Sequence, residues 1–309
     1  HRYSTDIRWL VPHFEKMLYD NALLAQLYLH AYQATGKPLY KSILQEILDY
    51  VVREMTDTNG GFYSSQDADS EGVEGKYFVW RPEEIVKILG KDDGEIINQY
   101  FDVTVRGNFE GQNILHIEQD TDQPNQKWSL DGKNLENLIK RSKTKLLAAR
   151  QKRIKPTRDD KILTAWNGMM MKTFAEAAAV LDRPDYGEIA NQNAKFILQN
   201  LRDGKRLLRS FKDGQAKLKG YLEDYAFLID GLITLHELDF DQRWLKEAIF
   251  FGEAMVDLFW DESSGQFFDT GIDHEKLILR PHDISDNATP SGSSKATEMI
   301  LRLAVITGD

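Results

Sequence analysis

Asp20-Asn21-Ala22-Leu23-Leu24 returns, with aromatic replacements, as Asp224-Tyr225-Ala226-Phe227-Leu228, an offset of 204 residues (224 against 20). The same offset sets Tyr40 against Trp244 and Asp57 against Asp261. One residue more sets Gly60-Gly61-Phe62-Tyr63 against Gly265-Gln266-Phe267-Phe268. The repeated unit reads as a polar helix start, an apolar helix, a short turn, a return helix, an Asp/Gly stop and an aromatic hairpin. A third copy fits between these two, with Trp166-Asn167-Gly168 at the helix start, Tyr186 at the turn and Asp203-Gly204 at the stop. A helical hairpin that cannot bury its own apolar face has to stack on its neighbours, so this periodicity predicts an array of helical hairpins.

Working outward, Met17, Leu18, Leu24, Leu27, Tyr28 and Ala31 recur at helical spacing, and Gly36-Lys37-Pro38 stops that helix before a return helix over Leu39 to Met55. Phe62-Tyr63 and Tyr77-Phe78-Val79-Trp80 read as two short strands flanking a polar loop. Pro82-Glu83-Glu84 suits the first turn of a helix. Thr104 to Lys127 reads as irregular or weakly β, Asn134 to Arg150 as a helix, and Lys205 to Ser210 as a strand between two long hairpins, Ile162 to Leu201 and Leu222 to Trp260. Pro and Gly sit at turns rather than in tracts, so one continuous helical domain over residues 1–309 is expected. The last apolar helix, Ala296 to Ile306, stops at Thr307-Gly308-Asp309, and the final hairpin is expected to lack its second half. Antiparallel hairpins with β excursions at one end predict an all-α protein, an incomplete α/α toroid of helical hairpins with short β hairpins at one rim.

Composition narrows the function. A hydrophobic content of 41% in 309 residues supports a real core. The net charge of −10 disfavours a nucleic-acid partner, which needs a basic face to neutralise phosphates. Zero cysteines exclude disulfides, thiolate metal sites and thiol catalysis within this stretch, and fit a reducing, cytoplasmic setting. No apolar run approaches the ~18 residues of a membrane span, so no membrane partner is expected.

In such a toroid the loops entering the inner helices converge. Here those segments are Pro12-His13-Phe14-Glu15 with Tyr19-Asp20-Asn21, Arg158-Asp159-Asp160-Lys161 with Trp166-Asn167, Tyr221 to Tyr225, and Asp286 to Ser293. Each mixes carboxylates, amides or hydroxyls, and three add an aromatic ring. Capping of helix N–H groups explains single Asp, Asn or Ser residues. Capping does not call for Tyr19, Trp166 and Tyr225 beside the acids, whereas a polyhydroxylated ligand does. His13, beside Glu15, is suited to proton transfer at its ordinary pKa, and His282 is a second such group. His30 and His236 lie within helices and read as core or flank residues. Asp67-Ala68-Asp69-Ser70-Glu71-Gly72 matches the first half of a calcium loop but has Phe78 where the bidentate Glu belongs, so its acids are expected over the pocket and no metal is assigned. Lys140 to Arg158 carries nine basic residues and no acid, which reads as a solvated helix face or a hold for phosphate.

Several strings are familiar beyond their physics: "WLVPHFEKMLYDNALL" (Trp9 to Leu24), "GGFYSSQDADSEG" (Gly60 to Gly72), "EGKYFVW" (Glu74 to Trp80), "GNFEGQNILH" (Gly107 to His116), "RDDKILTAWNG" (Arg158 to Gly168), "LEDYA" (Leu222 to Ala226) and "PSGSS" (Pro290 to Ser294), together with His1-Arg2-Tyr3-Ser4. With these the chain resembles the thioredoxin-domain-containing, spermatogenesis-associated protein family of bacteria and animals. The resemblance implies an N-terminal thioredoxin-like domain followed by an α/α toroid similar to six-hairpin glycosidases and N-acylglucosamine 2-epimerases, of which this chain is most of the toroid. The family's "PSGNS" reads "PSGSS" here, which leaves Ser293 where an amide stands in the family.

The function expected is therefore a carbohydrate-active enzyme, a sugar epimerase or isomerase or a glycoside hydrolase, acting on a sugar or sugar phosphate in a central pit. Its catalytic candidates are His13, Asp20, Asp160 and Asp224. Glu15, Tyr19, Asn21, Asp67, Asp69, Lys161, Trp166, Asn167, Tyr225 and Ser291 are expected to bind substrate, with Trp166 as the stacking platform and no cofactor. Two paired acids without histidine would select hydrolysis, and two opposed histidines epimerisation. The other class is a non-catalytic sugar-sensing or protein-docking module. The expected macromolecular partner is the thioredoxin-like domain of the same full-length protein.

Overall fold

A computed structural model describes residues 3–117, 132–276 and 278–308. Among them are ten helices: α1 (Leu18–Thr35), α2 (Pro38–Glu54), α3 (Pro82–Leu89), α4 (Lys91–Tyr100), α5 (Gly132–Arg150), α6 (Thr164–Leu181), α7 (Pro184–Asn200), α8 (Leu222–Asp239), α9 (Gln242–Phe259) and α10 (Gly292–Thr307). The chain divides into two compact units, residues 1–15 with 66–157, and residues 16–65 with 158–309.

The second unit carries the repeat. Its hairpins α1/α2, α6/α7 and α8/α9 begin their inner helices at Leu18, Thr164 and Leu222 and their return helices at Pro38, Pro184 and Gln242, so offsets of 146 and 204 hold for both members. The register reaches single backbone groups. Gly36, Asp182 and Phe240, at those same offsets, all cap the inner helices in the left-handed conformation, with φ of 68°, 54° and 57°. Glycine adopts it freely, whereas Asp182 and Phe240 bear a steric cost there. After each return helix one hydrogen bond closes the rim hairpin: Tyr63 N to Met55 O (2.8 Å), Leu208 N to Leu201 O (2.9 Å) and Phe268 N to Phe259 O (2.9 Å).

Helices α1, α6, α8 and α10 pack side by side in that order, with α2, α7 and α9 packed on α1, α6 and α8. This is an arc of an α/α toroid, with short hairpins such as Arg206–Lys212/Gln215–Lys219 and Trp260–Asp261/Gln266–Phe267 at the end where chains enter the inner helices. From Leu222 to Leu235 every side chain of α8 except Glu223 is buried, the pattern of a helix enclosed on all sides.

The first unit gathers Trp80, Ile85, Leu89, Ile97, Phe101, Leu138 and Leu146 of α3–α5 and their flanks into a core. Pro82 opens α3, and Glu84 Oε2 accepts the Arg81 N–H at 2.9 Å. Phe62-Tyr63 and Tyr77 to Trp80 do not form the expected pair of strands. Phe62 bridges Thr56 within the second unit, Trp80 bridges Asn113 within the first, and the local hairpin is Asp69–Ser70 with Val73–Glu74. Its two-residue turn, Glu71-Gly72, has both residues at positive φ (55° and 75°), which is why the stretch resembles half a calcium loop. In the basic run, Arg141 holds Asp93 with two bonds of 2.8–2.9 Å, and Arg153 donates to the Tyr77 and Val79 carbonyls while lying 4.0 Å over Trp80. Of the stretch expected to be irregular, Thr104 to Ile117 lacks regular structure, and residues 118–127 lie outside the described residues.

The inner helices α6 and α8 meet backbone to backbone. A Cβ on Gly168 would stand 2.5 Å from the Phe227 carbonyl oxygen, and one on Gly231 2.8 Å from that of Gly168. Alanine at Gly168 would gain about 1 kcal/mol of helix propensity, yet we expect Gly168→Ala to lose about 1–3 kcal/mol net because the clash is with backbone that cannot turn aside. Denaturant unfolding checks this, and a raised midpoint would mean the helices do not close on each other there.

Candidate functional site

The rim is built from the first turns of the inner helices. Asp224, fully buried on α8, accepts the Ala165 N–H of α6 on Oδ1 (3.0 Å) and the Tyr221 N–H on Oδ2 (2.8 Å). Its Oδ2 also meets Arg209 Nη1 at 3.2 Å. Burial pushes the Asp224 carboxyl up to about 7, against the opposing pull of Arg209 and the two backbone N–H groups. Asn167, in the first turn of α6, ties that helix to the hairpin after α2 and to α7. Its amide exchanges hydrogen bonds with Phe62 N and O (2.8 and 3.0 Å) and accepts from Asn193 (2.8 Å). Tyr225, one turn into α8, accepts the Leu207 N–H at 2.8 Å and donates to the Lys205 carbonyl at 3.1 Å. Each inner helix thus pins the hairpin that precedes it.

At the starts of α8 and α10 lies a cavity of about 210 Å³, lined by Tyr221, Glu223, Asp269, Asp283, Ser285, Asn287, Thr289, Pro290, Ser291 and Gly292. Tyr221 is clamped, with Arg209 4.6 Å over its ring and His274 stacked at 5.3 Å. Glu223 Oε1 accepts from Arg209 at 2.8 Å. Asp269 is raised above the usual carboxylate range, first by burial and then by the neighbouring Asp283 and Glu223 charges, although Oδ2 accepts the Asp283 N–H (2.9 Å). Ser291 caps α10 through the Ser294 N–H at 3.1 Å. The arrangement offers a tyrosine edge, hydroxyls, an amide and carboxyls in unlike environments.

Of the expected residues, Ser291 lines this cavity, and Asp224 and Tyr225 lie next to its wall with their polar atoms bonded to protein. Tyr19 and Trp166 meet edge to face at 4.8 Å between α1 and α6, with Tyr19 buried and Trp166 half-buried on the core. Asp20 sits in the first turn of α1, and the Asn21 amide donates to the Met17 carbonyl at 2.7 Å. Asp160 pairs with Arg158 at 2.6 Å, and Lys161 with Asp159 at 3.0 Å. The others belong to the first unit. There His13 stacks on Tyr3 and stands 3.5 Å from Glu15 and 3.4 Å from Glu74. Asp67 accepts from Thr157 Oγ1 (3.0 Å), and Asp69 pairs with Glu74 in the small hairpin. In the second unit, His282 lies edge-on to Phe268 at 5.9 Å. Among the described residues, no group of three or more His, Asp or Glu side chains is placed to hold a metal ion.

Sequence reasoning missed Asp269, Asp283 and Arg209. The available signal was position: Asp269 ends the aromatic hairpin that leads into the α10 entry loop, and Arg209 is an outward residue of a strand two turns of chain before Asp224. It also missed an ion network lower on the inner helices. Asp230 of α8, 2% exposed, binds Lys172 of α6 (3.0 Å) and Lys295 and Arg302 of α10 (2.5 and 2.6 Å). Burial opposes its charge, but the Lys172 and Lys295 ammonium groups outweigh burial and hold its carboxyl below the usual range. Towards the far end of α1, α6 and α8, His30 stands 3.8 Å from Glu176 beside a cavity of about 250 Å³.

Asp224→Ala would strand the Ala165 and Tyr221 N–H groups and leave Arg209 with Glu223 alone, a loss of about 3–5 kcal/mol by denaturant unfolding. The folded-state pKa near 7 lies above the unfolded value near 3.8, so the proton-linked stability is complete below pH 3.8 and disappears as pH rises through about 7. The stability gap between wild type and Asp224→Asn should therefore shrink over that window. A gap that widens with pH would show that Arg209 and the backbone donors prevail over burial.

No family model matches the chain. Human spermatogenesis-associated protein 20 is 35% identical over 344 residues, covering 100% of this chain and 44% of that protein, and the rat protein of the same name is 33% identical over 347 residues with the same coverage. The chain thus spans less than half the length of these relatives. Among solved structures, unsaturated glucuronyl hydrolase from Bacillus sp. GL1 superposes with a TM-score of 0.53 at 15% identity, over 97% of this chain and 60% of that one. Cellobiose 2-epimerase from Bacillus thermoamylovorans does so with a TM-score of 0.54 at 9% identity, over 87% and 52%. At such identities the likeness is one of fold, and it is the α/α toroid. Over its whole length the chain is similar to spermatogenesis-associated protein 20, matching 44% of that protein, and its fold is the α/α toroid also seen in the glucuronyl hydrolase and the epimerase.

Proposed function

We propose that this chain is the sugar-handling part of its protein and performs acid–base chemistry on a glycosidic bond in the cavity at the starts of α8 and α10. The observation that carries this is the pairing, around Tyr221, of one carboxyl raised by burial, Asp269, with a carboxylate facing a guanidinium, Glu223. Two carboxyls in unlike environments are what acid and base roles use. Asp269 would protonate the leaving oxygen as the bond breaks, and Glu223 would deprotonate water or attack the anomeric carbon. Tyr221, its ring held between Arg209 and His274, presents its edge and hydroxyl to the cavity at little entropic cost. Among the described residues, those lining the cavity include acids and hydroxyls but no histidine, which favours hydrolysis over epimerisation. That the glucuronyl hydrolase and the cellobiose epimerase with this fold act on carbohydrates supports the substrate class. The remaining length of the relatives accommodates the thioredoxin-like domain proposed as the partner, and the absence of cysteine fits a reducing compartment such as the cytoplasm.

The full chain, incubated with a panel of oligosaccharides, should release reducing ends. Asp269→Asn should slow that release about a hundredfold or more, while sparing nitrophenyl glycosides whose leaving group needs no proton. Equal losses on both substrate types would remove Asp269 from the acid role, and a changed sugar without release would favour the epimerase reading.

A further inference from the structure

We infer that this cavity takes neutral or amine-bearing sugars and turns away uronates and sugar phosphates, an inference that rests on the sugar-site reading above. All three charged side chains lining it, Glu223, Asp269 and Asp283, are carboxylates. Sites for anionic sugars place Arg or Lys where the acid group lands, because a bidentate guanidinium matches carboxylate and phosphate geometry. The cations near this cavity are committed elsewhere. Arg209 bonds Glu223 (2.8 Å) and Asp224 (3.2 Å) with its plane against the back of Tyr221. Arg280 gives its Nε and Nη2 donors to the Thr270 and Leu258 carbonyls at 2.6–3.2 Å and lies 4.6 Å over Phe268. Arg206 pairs with Asp273 at 2.9 Å.

The opposing influence is the pair of helix starts, since α8 and α10 both begin here and each presents roughly half a positive charge. Their exposed N–H groups are largely answered within the protein, Tyr221 N by Asp224, Ser294 N by the Ser291 hydroxyl and Ser291 N by Asp286. Arg209 cancels the Glu223 charge it bonds and the two helix starts offset about one more carboxylate, so the cavity is negative while Asp269 and Asp283 are both ionised, and its described lining holds no cation to meet an anion. An ammonium group on the sugar gains from that field, a hydroxyl is indifferent to it, and a carboxylate or phosphate is repelled.

The test uses the full chain and three β-1,4-linked trimers, of glucose, glucosamine and glucuronate, measured by calorimetry near neutral pH at low and moderate salt. The glucosamine trimer should bind at least as tightly as the glucose trimer, and the glucuronate trimer about tenfold or more weaker, with the spread narrowing as salt rises. Asp283→Asn, which removes one exposed carboxylate, should cut the glucosamine-over-glucose preference by about twofold to fivefold. Glucuronate binding as tightly as glucose, or a preference untouched by Asp283→Asn, overturns the inference while leaving the sugar site standing. Failure of all three trimers to bind brings down the sugar-site reading itself.

Discussion

Everything at the rim hangs on the junction of α6 and α8, where two glycines let the backbones touch and one buried carboxylate joins the helix starts. Gly168 and Gly231 remove the side chains that would hold the helices apart. Asp224 then reaches from the first turn of α8 to the Ala165 N–H of α6 while capping its own helix through Tyr221. A carboxylate taken from water without partners is prohibitively costly, so the three donors around it and the geometry that supplies them stand or fall together. Arg209, one of those donors, also carries Glu223 and backs the Tyr221 ring. The cavity wall is thus a consequence of how the two inner helices are joined.

A second cluster repeats the principle lower down, with different stakes. Asp230 gathers Lys172, Lys295 and Arg302 from the helices on either side, and Arg302 goes on to Glu237 at 2.8 Å. These ion pairs stitch α6, α8 and α10 at mid-height. Buried pairs of this kind add little net stability over well-packed apolar side chains, but they penalise any other register strongly, because a shifted helix would strand a charge. The inner helices are therefore fixed twice, at the rim by Asp224 and below it by Asp230, and the loops that bear Asp269 and Asp283 are mounted on that fixed base.

The repeat was legible because local chemistry fixes local structure. Helix starts, the αL stop at Gly36 and the Asp57/Asp261 turns each leave a mark in the residues themselves, and the offset of 204 carries through to single hydrogen bonds. The strands at Phe62 and Trp80 were misread because both are aromatic runs whose partners, Thr56 and Asn113, are set by packing rather than by alternation. Asp224 and Tyr225 were noticed for their chemistry, yet their bonds to Ala165 and Leu207 depend on which helix lies alongside, and no single stretch of sequence states that. Asp269 and Asp283 escaped for the same reason. They come from loop positions with no periodicity, and only the fold brings them to Glu223 and Tyr221.

The most direct measurement is a crystal structure of the protein with a slowly cleaved or thio-linked oligosaccharide bound. The account predicts a sugar ring in the cavity beside the Tyr221 edge, its bridging atom within hydrogen-bond reach of Asp269 and its anomeric carbon facing Glu223. Sugar bound instead at the other end of the inner helices, between His30, Glu176 and Glu237, with the Tyr221 cavity empty, would contradict it.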